Sequence, residues 1–241
     1  MKRLFLFSTI LLTLLTIMNS CDSPNSKTIK NDIQIDYTKP FPGKEYIQAV
    51  DSSVMQFSVT VSSKKNSESW EGHCSLYCNK GDLSYLVLPL HCFPYDSTKE
   101  YRIWATDFKK KKVELSWVRA VSSTQYDAEV IVVKKIKGLP TLCERGMIGK
   151  EPIIGDSAVL LVPFNARNVH QKFGLLCKNN EIEMNVLFGE SGDSGGLVIG
   201  RNGVIGITVS ITDNGKNMQF VPINIFEELY TSIANDRKDP I

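Results

Sequence analysis

The chain has 241 residues, enough for one large hydrophobic core or two smaller ones. With 42% hydrophobic and 22% charged residues, its composition is that of an ordinary globular protein. A net charge of +2 at pH 7 leaves no electrostatic case for nucleic acid or for an acidic partner.

In chain order the first element is a targeting segment. Lys2 and Arg3 precede an apolar run over 4–18, shorter than the roughly 20 residues that a bilayer span needs. The run ends at Met18-Asn19-Ser20-Cys21, followed by the polar, proline-containing residues 22–26. A small residue directly before a lone cysteine at this place resembles a bacterial lipobox. That resemblance implies cleavage before Cys21, acylation of Cys21, and anchoring in the cell envelope. Residues 1–20 are then a signal peptide and 21–47 a flexible tether without periodicity. The alternative is an ordinary cleaved signal with an incidental cysteine, giving a secreted protein without an anchor.

Export bears on the other cysteines. Outside the cytoplasm thiols tend to be oxidised, and setting Cys21 aside leaves Cys74, Cys78, Cys92, Cys143 and Cys177, an odd set that allows two disulfides at most. Cys74 and Cys78, with His73 and His91 nearby, have no second ligand pair at structural zinc spacing, so no metal is expected.

From residue 50 on, strand signals dominate. Residues 54–61 alternate apolar and polar side chains, and 85–90 form a short apolar run. Residues 101–106 and 113–121 flank Lys109, Lys110, Lys111 and Lys112 like the arms of a hairpin, which makes the lysines a solvated turn. The run Glu129-Val-Ile-Val-Val133 is nearly all β-branched and fits a buried strand. After Gly138-Leu139-Pro140, further strands are expected over 157–162, 172–177, 196–199 and 204–210. Only 223–234 has helical spacing, with Ile225, Phe226, Leu229, Tyr230 and Ile233 on one face. Many short strands and one terminal helix predict an all-β protein of barrels or sandwiches, divided into halves at 48–138 and 139–241.

The chemistry is concentrated in Gly192-Asp193-Ser194-Gly195-Gly196. This satisfies G-x-S-x-G, a pattern shared by unrelated folds, and chain order separates them. All three histidines, His73, His91 and His170, precede Ser194, which excludes the α/β-hydrolase order. The strand pattern is wrong for a subtilisin. What remains is histidine, aspartate, serine on a β framework. His91 closes the apolar run 85–90, and Asp127 stands just before the run 129–133, where a carboxylate is poised to be partly buried.

These residues carry a family resemblance. Leu90-His91-Cys92, Tyr126-Asp127-Ala128-Glu129-Val130, Gly138-Leu139-Pro140, the Gly192–Gly196 box, Gly203-Val-Ile-Gly-Ile207 and Phe220-Val-Pro-Ile223 together resemble the trypsin/chymotrypsin-like serine proteases, and among them the compact bacterial HtrA-type protease domains. The resemblance covers roughly residues 48–234. It implies two six-stranded antiparallel β-barrels with a C-terminal helix. His91 and Asp127 would come from the first barrel and the nucleophile Ser194 from the second, and the activity would be peptide-bond cleavage through an acyl-enzyme. Gly192 and Ser194 would supply the oxyanion-hole N–H groups. Phe188, Val209, Ser210, Ile211 and Thr212 would shape the specificity pocket, whose aromatic floor and lack of acid argue against cleavage after Lys or Arg. No metal or organic cofactor is implied. The partners are a protein or peptide substrate and, through Cys21, a membrane.

In trypsin-like zymogens the aspartate at the position of Asp193 pairs with a newly cut N-terminus. Here an internal cation, Arg167 or else Arg145, is expected to take that place. By the same resemblance Cys92 would pair with Cys78 or Cys74, and Cys143 with Cys177. The competing reading is a catalytically silent protease homologue acting as a binding module.

Overall fold

The computed structural model describes residues 53–62, 67–93, 100–107, 109–143, 147–149, 152–162, 171–178, 182–186, 190, 192–201, 203–212 and 217–235. Strands β1 (Val54–Ser62), β2 (Ser67–Lys80), β3 (Leu83–Pro89), β4 (Glu100–Thr106), β5 (Lys112–Leu115), β6 (Trp117–Ser123) and β7 (Ala128–Lys134) form one sheet of order β5-β4-β1-β2-β3-β7-β6. Strands β8 (Ser157–Leu161), β9 (Gln171–Lys178), β10 (Ile182–Val186), β11 (Leu197–Gly200), β12 (Gly203–Thr212) and β13 (Asn217–Pro222) form a second. This second sheet closes on itself in the order β10-β13-β12-β11-β8-β9. Helix α1 (Ile223–Asn235) follows β13 directly. The antiparallel β class and the single terminal helix are as the sequence pattern predicts.

The two ends of the first sheet are nearly one strand. Only Ser116 separates β5, which pairs with β4, from β6, which pairs with β7. The continuous strand expected over 113–121 is therefore bent at Ser116, where the chain passes from one edge of the sheet to the other.

Side chains explain why β3, β7, β8 and β11 carry apolar residues at consecutive positions. Tyr85 and Val87 of β3, with Ala128, Val130 and Val132 of β7, pack toward Val159 and Leu161 of β8, Leu197 and Ile199 of β11, and helix residues Ile223, Phe226 and Ile233. The intervening Leu86, Leu88, Ile131 and Val133 pack into the first sheet's own core with Leu76, Phe93 and Ile103. Ala158, Leu160, Val162 and Val198 turn into the second sheet's core with Ile205 and Phe220. Each such strand is buried on both faces, and each fully buried aliphatic side chain contributes about 1.5–3 kcal/mol.

Helix α1 belongs to the second half of the chain but docks on the first sheet. Tyr230 meets Tyr77 and Tyr85 at ring-centroid distances of 5.2 and 4.9 Å. The last turn has no basic residue of its own, and its exposed carbonyls are met from the other side of the molecule. Arg119 donates to the Ile233 carbonyl at 2.7 Å and Lys80 to the Ala234 carbonyl at 2.8 Å, satisfying the negative end of the helix.

Three strands escaped the sequence pattern. β2 carries the buried polar residues His73 and Ser75 and a glycine, which erase its period, although it is the strand between β1 and β3. β13 is interrupted by Asn217 and Gln219, and β10 is only five residues long. The lysine turn is solvated as expected: all four lysines are exposed, and the Asp107 carboxylate accepts the N–H groups of Lys109 and Lys111, both at 2.9 Å.

The disulfide differs from both expected pairings. Cys78 is bonded to Cys143 across 65 residues, while Cys74 and Cys92 are free and buried. The cause is local. Leu142 and Cys143 donate N–H to the carbonyls of Leu76 and Tyr77, laying the connecting segment along β2 and bringing Cys143 to Cys78. Closing a loop of this length stabilises the fold by about 4 kcal/mol in the chain-entropy account.

Candidate active site

The register of β3 on β7 brings His91 to Asp127. Pro89 at the end of β3 faces Ala128 at the start of β7, so the residues just beyond them share one rim of the sheet. A 3-10 turn over Leu90–Cys92 then turns the imidazole toward the carboxylate. Leu90 N–H donates to the Asp127 carbonyl at 3.1 Å, and His91 N–H to Asp127 Oδ1 at 2.9 Å. The ring closes the set, with His91 Nδ1 2.6 Å from Asp127 Oδ2. Asp127 holds this position with φ of 51°, a left-handed conformation that aspartate tolerates better than most residues.

Both side chains keep contact with water, His91 being 46% and Asp127 36% exposed. The Asp127 carboxylate against Nδ1 pushes the His91 imidazole up, to about 10, with the Cys92 sulfur adding to the rise and partial burial opposing it. Behind Asp127, Glu129 is buried, and burial pushes its carboxyl up to about 9, the charge of Asp127 adding to the effect. It is therefore neutral at pH 7. Its Oε2 has no hydrogen-bond partner among the described residues.

Ser194 stands on the turn leading into β11. Gly195 and Gly196 donate N–H to the carbonyls of Thr208 and Asp193, and Asp193 donates to Glu190. By contrast, the N–H groups of Gly192 and Ser194 donate to nothing among the described residues. Those are the two groups that the sequence assigned to an oxyanion hole. Gly192 has φ of +99°, a conformation side chains disfavour.

Close approach of the two sheets fixes this turn. His73 N–H of β2 donates to the Ser194 carbonyl at 2.9 Å. A Cβ on Gly195 would lie 1.8 Å from the His73 carbonyl oxygen, so only glycine fits. A Cβ on Gly72 would lie 2.7 Å from Cys92 Sγ and 3.5 Å from the Ser194 carbonyl, which places the histidine turn and the serine turn on either side of one glycine. Burial pushes the His73 imidazole down to about 4, against the opposite pull of the Ser194 carbonyl, Asp193 and the Gly192 carbonyl, so its ring is neutral at pH 7.

The serine hydroxyl is not hydrogen-bonded to His91. Ser194 Oγ donates instead to the Val209 carbonyl at 3.5 Å. Val209 is available because a bulge between Thr208 and Ser210 lifts it from the β12–β13 ladder. Val209 and Ser210, with Gln219 and Phe220, face Tyr126 and Asp127 across an open cleft of about 380 Å³. Ile211 is exposed, and the Ser210 hydroxyl bonds to Gln219. Of the other pocket residues, Phe188 and the Thr212 side chain lie outside the described residues, as do Arg145, Arg167 and Cys21.

Among the described residues the cation on Asp193 is a lysine. Lys172 of β9, 3% exposed, places its ammonium 2.5 Å from Asp193 Oδ2 and 3.7 Å from Glu190 Oε1. Arg167, expected there from the family resemblance, lies outside the described residues. The phase of β9 selects Lys172, since it is in step with inward-facing Leu176 and pairs with buried Leu160. A charged residue on the inward phase of a strand was the available signal. Thr208 was also missed: buried on β12, it donates its hydroxyl to the Asp193 carbonyl at 2.6 Å. Compared with models of known protein families and with curated proteins, the chain matches none.

Proposed function

We propose that the chain is a serine endopeptidase of the trypsin/chymotrypsin type, built as two six-stranded barrels over 48–138 and 139–241. The closed second sheet supports this, as does the first sheet, which makes a six-membered ring when β5 and β6 count as one bent strand. The observation that carries the activity is the His91–Asp127 pair, with Asp127 lining the same cleft as the Val209 bulge to which Ser194 bonds.

A serine hydroxyl is a weak nucleophile until an adjacent base takes its proton. Rotation about Cα–Cβ moves Ser194 Oγ from the Val209 carbonyl toward His91 Nε2. As Oγ adds to the scissile carbonyl, Nε2 takes its proton and Asp127 steadies the resulting imidazolium. The carbonyl oxygen, now negative, accepts the free N–H groups of Gly192 and Ser194. His91 then protonates the leaving amine, and water repeats the cycle on the acyl-ester. The neutral base is the active form, so turnover rises with pH through the His91 pKa.

The reading extends to export and to anchoring through a lipidated Cys21, with peptide chains as substrates. One observation favours the other reading, a silent homologue used for binding: Ser194 Oγ rests on Val209 rather than on His91. A fluorophosphonate probe separates the two. The endopeptidase labels at Ser194, and both Ser194→Ala and His91→Ala lose labelling and peptide hydrolysis, the serine variant by about 10⁶-fold in kcat. A folded wild-type protein that neither labels nor cleaves a mixed peptide library is the silent homologue.

A further inference from the structure

We propose that the cleft beside the serine selects peptide substrates with a carboxamide side chain, glutamine or asparagine, near the scissile bond, and that Gln219 is the residue that selects it. This rests on the reading of Ser194 as nucleophile. Met218 and Phe220 of β13 turn into the second sheet's core, so Gln219 between them points the opposite way, into the cleft that Asp127 and Val209 also line. It pairs across the ladder with Ser210, directly after the Val209 bulge. Neighbours so placed share one face of the sheet, and the Ser210 hydroxyl donates to Gln219 Oε1. The carbonyl end of the amide is thus engaged by β12, which leaves the NH2 end as a fixed pair of donors in the cleft.

Charge and hydrogen bonding decide what the cleft can hold. Among the described residues the one charged side chain that lines it is Asp127, and both its oxygens are bonded to His91. A glutamate or aspartate brought here meets that negative charge with no cation to offset it. A lysine or arginine presents donors alone to the Gln219 NH2 and finds the Asp127 oxygens already engaged. A leucine strips water from the NH2 group and returns no acceptor. A carboxamide answers each group: its carbonyl accepts from Gln219 Nε2, and its own NH2 donates to a lone pair of Ser210 Oγ. Val209, Val221 and Pro222 supply apolar walls for its methylene groups.

The test reads fluorophosphonate labelling of Ser194 in full-length wild type, and kcat/KM over a fluorogenic peptide library varied position by position on both sides of the cleaved bond. At one of these positions glutamine or asparagine should exceed glutamate, lysine and leucine by about tenfold or more, the effect of a hydrogen bond that the wrong side chain leaves unmade. Gln219→Glu, nearly isosteric, should move the preference there to lysine or arginine, and Gln219→Leu should move it to leucine or methionine. The rank order at the other positions should hold in both variants, which a general disturbance of the cleft would not respect. A wild type that labels and cleaves but prefers a carboxamide at no position overturns the inference and leaves Ser194 in place. A folded variant of either kind that keeps the wild-type preference overturns the role of Gln219. A wild type that neither labels nor cleaves overturns Ser194 as nucleophile, and the substrate preference with it.

Discussion

The two polar clusters flanking the serine are opposites in almost every physical respect. His91 and Asp127 sit at the rim of the first sheet, half in water, joined by short hydrogen bonds. Lys172 and Asp193 sit inside the second sheet, almost fully out of water, with Thr208 and His73 packed around them. Exposed ion pairs contribute little to stability, whereas a buried charge that loses its partner costs about 3–5 kcal/mol. On the proposed reading the chemistry belongs to the exposed cluster and the shape of the site to the buried one. It also says that mutations should separate: those at the rim should spare the fold, and those behind the serine should not.

With nucleophile and base both kept, the largest effect is expected from Asp127→Asn. It removes the anion that orients His91, and kcat should fall by about 10⁴-fold with little change in melting temperature. The acid limb of kcat/KM should also move. In wild type it should lie above the ordinary histidine value of 6.5, because Asp127 raises the imidazole, and in the variant it should drop back toward 6.5. The pair's contribution to stability is fully present below about pH 6.5 and is lost as pH rises toward about 10. Equal activity in Asp127→Asn would erase the contrast between the two clusters.

Next comes the disulfide. Cys78→Ala/Cys143→Ala should lower the unfolding free energy by about 4 kcal/mol in a denaturant titration. Hydrolysis below the new melting transition should be unchanged, since Cys78 lies on β2 away from the cleft. A loss of kcat in the folded variant would tie the connecting segment to the chemistry.

The smallest effect concerns Glu129, which is buried yet adjoins the exposed cluster. Its pKa is raised from 4.5 to about 9, so the unfolded chain releases a proton that the folded chain keeps. Stability should therefore fall as pH climbs from about 4.5 to 9, and Glu129→Gln should flatten that slope by about 1 kcal/mol or more. Identical pH–stability curves for the two proteins would place the carboxyl in contact with water.

Much of this was legible before the structure. Patterns that depend on local chemistry came through: the double-buried run 129–133, the helical face of Phe226 and Ile233, the lysine turn, and the histidine–aspartate pair at adjoining strand ends. What failed depends on pairing between distant segments. β2 hides its period because His73 and Ser75 are polar residues turned inward, His73 against the serine turn that the other half of the chain supplies. Lys172 looked like one more strand residue until its register on Leu160 showed which way it points. The disulfide followed the hydrogen bonds of Leu142 and Cys143, which no cysteine spacing encodes.

The docking of α1 has a consequence for how the protein is made. The helix is formed from residues 223–235, yet it covers Tyr77 and Tyr85 and is anchored by Lys80 and Arg119 of the first sheet. The first sheet, which leaves the ribosome before the helix, thus waits for residues 223–235 to be synthesised. Its outer face stays sticky and unclosed throughout that interval, the condition under which nascent chains aggregate or engage chaperones. The two sheets mature together, and helix α1 acts as the clasp.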